Sequence, residues 1–573
     1  MLGYPALRCA LFLLVCSVAL VAGRNAQAQP QSKTGAAAKD HDDKKVEGTH
    51  LTGEDAEKVR LINEHLSTKW KENKINPSYK ATDYEFIRRA SLDIIGRVAK
   101  PQEIEKFLKD PEHSRRFLLI ERLLKSDEYP KNQANLWTVW LMTRAGANET
   151  GGSIYHEQMH KWLEDQFKKE GLSFKEMVRE LLTASGKTNE NGAVNYILSH
   201  LGEPVPKDKQ QGEDGEGKFT MVPVTSRTTK LFLGVQIQCT QCHKHPFNEE
   251  WNQAHFWGIN AFFRQVDRKG APIANREVVL ELVDNPSLDP SGAVYYEERN
   301  GRLQQAKAVF LDGTHLDAAS SNRRIELARF VTSSKLFPKA YVNRMWAHFF
   351  GRGFTNPVDD FGSQNEPSHP ELLEELASAF DSYGTDPRRL IRWICNSDAY
   401  GLTSVSNKSN EKTDAEPFFS RMLLKAMTPE QLFESLIVST QAEMFESREN
   451  RQKLRREWMR NLTTNFGDDE GNEVTFNGTV VQALMLMNGN DINSAVASKT
   501  KGTVPWAIIY KKTPKGIMDH LYLAALNRPP SGRESGRVLE ILRKAPSKAN
   551  DSLSLWQDLF WALLNSNEFI LNH

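Results

Sequence analysis

The sequence predicts a mostly α protein of two helical domains with a small β-hairpin insert. Three observations carry this. Apolar residues recur at helical spacing through 83–97, 115–127 and 160–184. Strand-like runs are confined to 277–312. At 573 residues, with 39% hydrophobic and 26% charged residues, the chain is long enough for two to four domains and needs no disulfides to hold a core.

The elements follow in order. Residues 1–28 read as a signal peptide: Arg8 opens a short positive region, 9–22 are apolar, and Ala26-Gln27-Ala28 is a small-x-small cleavage site. A lipoprotein is disfavoured because Val15 precedes Cys16, where a small residue is wanted. No later stretch is apolar enough to span a bilayer, so a secreted or periplasmic protein cut after Ala28 is expected. Residues 29–54 are polar, with many Lys and Asp, and read as a disordered linker. A helical domain spans 55–265. Within it 203–219 form a loop, and 225–239 form a helix leading into a cysteine motif. A small β insert covers 266–320, where Asn300-Gly301 between two strand-like runs is a hairpin turn. A second helical domain fills 321–573, with helices at 323–333, 338–350, 370–382 and 386–399 and a polar loop at 404–416. No repeat of solenoid length is present.

Charge and cysteine usage exclude several classes. Lys and Arg number 74 against 73 Asp and Glu, so bulk charge gives no nucleic-acid partner. Once Cys9 and Cys16 leave with the signal, Cys239, Cys242 and Cys395 remain, too few for a disulfide scaffold.

Two of those three lie in Cys239-Thr240-Gln241-Cys242-His243, the C-x-x-C-H pattern of covalent haem attachment. Two thiols on one helical turn match the separation of the two haem vinyl groups, and His243 donates an imidazole nitrogen to the iron. Composition alone would produce this pattern about 0.001 times per chain. Other occupants fit the same residues. Cys239, Cys242 and His245 form C-x-x-C-x-x-H, most of a tetrahedral zinc or iron site that His255 or Cys395 would complete. A local Cys239–Cys242 disulfide also suits an oxidising compartment. For a sixth haem ligand the candidates are His255, Met345 and His348.

Other matches weigh less. His156-Glu157-Gln158-Met159-His160 is a literal H-E-x-x-H, but composition alone gives about 0.02 such matches per chain. Lys161 follows where zinc proteases stay apolar, and Trp162, Leu163 and Phe167 form the core stripe; an exposed helical pair is expected. Asp360-Phe361-Gly362 lacks the glycine loop and H-R-D of a kinase, Gly186-Lys187-Thr188 lacks the upstream glycine of a P-loop, and no G-x-S-x-G is present.

Several long blocks occur in order: FIRRASLDIIGR (86–97), LFLGVQIQCTQCHKHPFNEEW (231–251), FWGINAFFRQ (256–265), ELARFVTSSKLFPKAYVNRMWAHFFGRGFTNPVDDFG (326–362), PSHPELLEELA (367–377), QALMLMNG (482–489), LYLAALNRPP (521–530) and WALLNSNEFILNH (561–573). In these blocks the chain resembles the planctomycete cytochrome-c-like family of exported proteins, which pairs two domains of unknown function. The resemblance implies a haem at Cys239, Cys242 and His243 and a periplasmic redox partner. Longer relatives carry an extra N-terminal cytochrome-like domain; residues 29–54 here contain no Cys, which speaks against a multi-haem wire.

The second domain also holds polar residues beyond packing needs. Arg344 and His348 share a helix face, Asp359 and Asp360 follow a Gly-Arg-Gly loop, and Ser368 is placed to cap the helix that His369-Pro370 opens. They read either as a buried network tying helices together or as a catalytic site of Arg344, His348, Asp359, Asp360 and His369. Three functions stay open: a single-haem redox protein, an envelope protein with a non-haem metal site, or a polysaccharide-active enzyme, for which no carboxylate pair singles itself out.

Overall fold

The structure is a computed structural model that describes residues 51, 53–143, 152–210, 216–271, 278–316, 322–442, 447–466, 496–544 and 549–573. The signal peptide, nearly all of the linker and the block at 482–489 lie outside the described residues.

The N-terminal part runs α1 (Gly53–Glu72), α2 (Asp83–Ile95), α3 (Pro101–Lys109), α4 (Arg115–Leu124), α5 (Glu128–Met142), α6 (Gly152–Lys168), α7 (Phe174–Thr183), β1 (Gly186–Lys187), α8 (Val194–Ser199), α9 (Val222–Leu233) and α10 (Gln253–Asn260). Short strands follow: β2 (Val266–Lys269), β3 (Glu281–Asp284), β4 (Val294–Glu297) and β5 (Leu303–Ala306). Helices return as α11 (Arg323–Ser333), α12 (Leu336–Phe350), α13 (Pro370–Ser382) and α14 (Pro387–Cys395). The last part comprises β6 (Lys425–Ala426), α15 (Pro429–Thr440), α16 (Arg448–Phe466), α17 (Thr503–Lys511), α18 (Pro514–Leu526), α19 (Gly532–Lys544), α20 (Ala549–Leu564), α21 (Asn567–Ile570) and β7 (Leu571–Asn572). The protein is mostly α with small antiparallel strand pairs, as the periodicity predicts.

The strands form three small sheets, ordered β1-β3-β2, β4-β5 and β6-β7. The predicted hairpin is β4-β5, with Val294 opposite Ala306 and Gly301 at φ +80° in its turn. Pairing of β6 with β7 ties Lys425 to Asn572 across about a quarter of the chain.

Burial does not follow the sequence order. One apolar core runs from Leu51 to Met422, so α1–α10 and α11–α14 share it. A second gathers Met427 to Ile570, together with Leu92 and Val98 from α2 and its exit. Helix α2 therefore faces both cores, and every residue from Phe86 to Ile95 is buried. Thr82 caps its start by accepting from the Glu85 N–H, and Gly96 closes it in the left-handed conformation. Among the described residues no helix is long and apolar enough to cross a membrane.

Three local expectations need correction. The helix predicted over 225–239 ends at Leu233, because Gly234 takes φ +67° and closes it as a left-handed cap. The helix predicted over 386–399 stops at Cys395, with Asn396 as its cap. The cap before α13 is His369 rather than Ser368, and its side chain makes no capping bond.

Candidate functional site

The cysteine motif sits on a short 3₁₀ turn, Gln238–Gln241, not on the α-helix expected from the pattern. Thr240 Oγ1 donates to the Ile237 carbonyl at 2.7 Å, and Trp257 Nε1 and Gln253 Nε2 donate to the Gln241 carbonyl at 3.2 and 3.4 Å. These bonds hold the turn from inside while Cys239 and Cys242 stay exposed as free thiols. Beside Cys242 lies a cleft of about 360 Å³ lined by Gln241, Trp257, Tyr296 and Glu297–Arg299. The Trp257 and Tyr296 rings lie nearly parallel there, 6.3 Å between centroids and 15° apart.

The three histidines of this region differ in what their ring nitrogens do. His243 Nδ1 is 2.5 Å from the Lys244 carbonyl, which can only accept, so Nδ1 carries the hydrogen and Nε2 keeps its lone pair. His245 is the reverse: its Nδ1 accepts from the Asn248 N–H at 2.9 Å and the Phe247 N–H at 3.3 Å, which places the hydrogen of the neutral ring on Nε2. His255 Nδ1 likewise accepts from the Asn252 N–H at 3.2 Å, and burial lowers its pKa. Only His243 offers a metal an unshared nitrogen pair with its other nitrogen anchored to a carbonyl. Among the described residues no three His, Cys, Asp or Glu side chains converge as a metal group, so Cys239, Cys242, His245 and His255 do not form a ready tetrahedral set.

The second-domain candidates separate into three places. Arg344 and Asp359 come together: both are buried, at 2% and 1% exposure, with Arg344 Nη2 3.5 Å from Asp359 Oδ2. Asn343 builds this contact by donating to the Thr355 and Val358 carbonyls and accepting from the Thr355 N–H, which folds the 353–359 loop back on α12. Asp360 stands beside them, half-buried, accepting from Gln364; burial raises its pKa while nearby His245 opposes the rise. His348 goes elsewhere. Its Nε2 donates to the Asp93 carbonyl at 3.0 Å, and burial lowers its pKa. Arg344 and His348 do share a face, since both lie against the Trp140 ring. His369 is apart again, among Phe354, Phe418 and Phe419, with burial pushing its pKa down to about 4. Met345 is fully buried in the first core. The five-residue catalytic site is therefore not assembled.

What sequence reading missed is that the Arg344–Asp359 pair meets the cysteine loop. Gln236 Nε2, three residues before Cys239, donates to Asp359 Oδ1 at 2.7 Å, and Lys230 Nζ on α9 is 3.5 Å from Asp359 Oδ2. The Phe361 N–H donates to the Gly234 carbonyl at 2.8 Å. A Cβ on Gly234 would lie 2.4–2.5 Å from the Phe361 ring, so only glycine permits both this approach and the cap. Asp360-Phe361-Gly362 is thus the docking strip for the loop that bears the cysteines.

These two loops belong to two recognised modules. Residues 61–268 match the family model PSCyt2, protein of unknown function (DUF1549), and residues 323–542 match PSD1, protein of unknown function (DUF1553). The chain carries both domains. No curated protein and no solved structure matches it. The DUF1549 domain supplies Lys230, Gln236 and the cysteine motif; the DUF1553 domain supplies Arg344 and Asp359–Gly362.

The H-E-x-x-H of α6 is not a metal pair. His160 Nε2 lies 2.8 Å from Asn135 Oδ1, an acceptor, and burial beneath Arg455 pushes its pKa down to about 3. Both histidines are half-buried rather than exposed, while Glu157 is exposed and 3.5 Å from Arg456.

Another buried polar cluster was also missed. Asp93, 1% exposed, accepts from Lys425 Nζ (2.7 Å), Asn572 Nδ2 (2.7 Å) and Tyr400 Oη (2.8 Å). Lys425 also donates to the His348 and Phe349 carbonyls. One helical turn earlier, Arg89 donates to the Tyr400 and His573 carbonyls, and Arg88 to those of Ala525 and Phe569. The lone carboxylate inside the apolar run Leu92–Ile95 was the signal that could have found it.

Proposed function

We propose that this is an exported redox protein carrying one c-type haem, bound covalently through Cys239 and Cys242 with His243 as the axial imidazole. The observation that carries the proposal is the His243 ring: Nδ1 anchored on a backbone carbonyl, Nε2 with its lone pair free, one residue after an exposed free thiol. The donor set fits the group, two thiols for the vinyl carbons and one neutral imidazole for the iron. The haem would supply reversible one-electron transfer. The chain's own residues do the rest. Lys244 fixes the His243 tautomer, Gln253 and Trp257 hold the turn between the cysteines, and the Trp257 and Tyr296 rings line the cleft beside Cys242.

The test is the protein itself, made with its signal in a host that matures c-type cytochromes. The denatured chain should stain for haem, and Cys239→Ala with Cys242→Ala should abolish the stain. His243→Ala should change the optical spectrum strongly and His245→Ala weakly. A colourless protein holding stoichiometric zinc, released by His245→Ala, would overturn the proposal in favour of a non-haem metal site.

A further inference from the structure

Arg344 is the least satisfied charge in the junction between the two domains. Its side chain is 2% exposed, yet Nε and Nη1 are buried without a hydrogen-bond partner, and Nη2 has only the 3.5 Å contact with Asp359. Its guanidinium carbon lies 5.6 Å from the Trp140 ring centroid, which supports the charge but accepts no directed hydrogen bond. Buried guanidinium groups normally have their fork filled by acceptors. The other Asp359 oxygen is occupied by Gln236. Lys230 adds a second cation 3.5 Å from Asp359 Oδ2, with its side chain 19% exposed, so two cations surround one carboxylate. Asp360, next in the chain, turns to Gln364 instead. Arg344 forms the floor of this cluster, and the half-buried Lys230 and Gln236 form its rim beside the cysteine loop.

We propose that Arg344 and Lys230 form an oxyanion receptor at the junction of the DUF1549 and DUF1553 domains, taking a carboxylate or phosphate-like group on one of the two guanidinium edges that the unpartnered Nε and Nη1 each share with Nη2, whose own contact with Asp359 is long at 3.5 Å. The planar fork matches two oxygens of such a group. Two sources have this chemistry: a carboxylate side arm of the haem, which rests on the function proposed above, and a free oxyanion from solution, which does not.

The experiment separates them. The full-length chain is made without haem and titrated calorimetrically with inorganic phosphate. Saturable uptake is expected, weakened at least tenfold by Arg344→Lys, which keeps the charge and loses the fork. Lys230→Gln, at the half-exposed rim, should weaken it severalfold and guards against a folding defect in the buried variant. If the haem-loaded protein no longer takes phosphate, and Arg344→Lys shifts the propionate bands in its vibrational spectrum, the receptor serves the haem. Equal phosphate uptake with and without haem assigns it to a free oxyanion. A chain that stays colourless but binds phosphate removes the haem reading and leaves the receptor standing. No saturable uptake by the haem-free chain, together with unmoved propionate bands in haem-loaded Arg344→Lys, would overturn the receptor.

Discussion

Two buried polar clusters meet helix α12 one turn apart, at Arg344 and at the His348 carbonyl, and they are built differently. Around Asp93 three side chains reach the carboxylate, and Lys425 meets two further carbonyls. Around Arg344 the acceptors run out: one carboxylate is shared with Gln236 and Lys230, and two guanidinium nitrogens stay open. The Asp93 carboxylate has its acceptors used, which fixes one packing arrangement, although Arg88 Nε and Asn572 Oδ1 beside it are also buried without a partner; Arg344 differs in leaving two nitrogens of one guanidinium open. The comparison separates scaffold from site without appeal to motif, and each side can be tested.

The largest effect is expected at Asp93. Asp93→Ala strands the buried Lys425 ammonium and should cost about 3–5 kcal/mol in urea unfolding. A loss below about 1 kcal/mol would show that the cluster is not a scaffold. Next comes Gly234→Val, which combines a left-handed φ with a clash on Phe361. About 2–4 kcal/mol is expected, part of it regained when Phe361→Ala is added. Strict additivity of the two variants would deny that the loops are coupled.

Acid gives a third measure. Burial holds His160 and His200 down to about 3, and His369, His520 and His573 down to about 4. Their unfolded rings take up protons near pH 6.5, so between about pH 6.5 and 4 the unfolded state binds more protons and stability falls as acid is added. Each ring contributes up to about 1.4 kcal/mol per pH unit in that window. Denaturant midpoints at pH 7, 6 and 5 should fall steadily, and His200→Gln should flatten the slope; a flat profile in the parent protein would refute the assignment. On the site side, in the chain made without haem, Cys239→Ala with Cys242→Ala should change stability by no more than about 0.5 kcal/mol, because both thiols are exposed. A large loss would make the motif part of the scaffold. Smallest of all, Glu157→Gln should leave stability and metal content unchanged within error, since that carboxylate has only an exposed contact with Arg456.

Much of the fold was legible. Helical period and the Asn300-Gly301 turn located most elements, since each is a local property of the chain, whereas the one cap named, Ser368, was off by a residue. The end of α9 was not read, because Gly234 inside LFLGVQIQ was treated as part of an apolar helix. Its cap is local, with its own N–H on the Thr229 carbonyl, but the close approach that also demands glycine there comes from Phe361, more than a hundred residues away. In the site, spacing alone singles out Cys239, Cys242 and His243, but the tautomer that separates His243 from His245 was not legible, because it depends on which backbone groups the loop presents. Arg344 and Asp359 were named together correctly. His348 was grouped with Arg344 by helix face, and the two do lie against the same Trp140 ring, but the His348 ring bonds to the Asp93 carbonyl, and His369 packs apart among phenylalanines. The junction with Lys230 and Gln236 could not be seen from either block alone.

The pairing of Asp93 with Asn572 has a consequence in time. The two residues are 479 positions apart. At about 5–20 residues per second of synthesis, a helix finished early waits roughly 25–95 s for the amide that completes its carboxylate, and Arg88 and Arg89 wait as long for carbonyls at 569 and 573. Until then a nascent chain carries an apolar helix studded with unmatched charge. A segment made nearly five hundred residues later is the one that locks this helix, so a chain interrupted between the two leaves the helix incomplete and open to proteolytic removal.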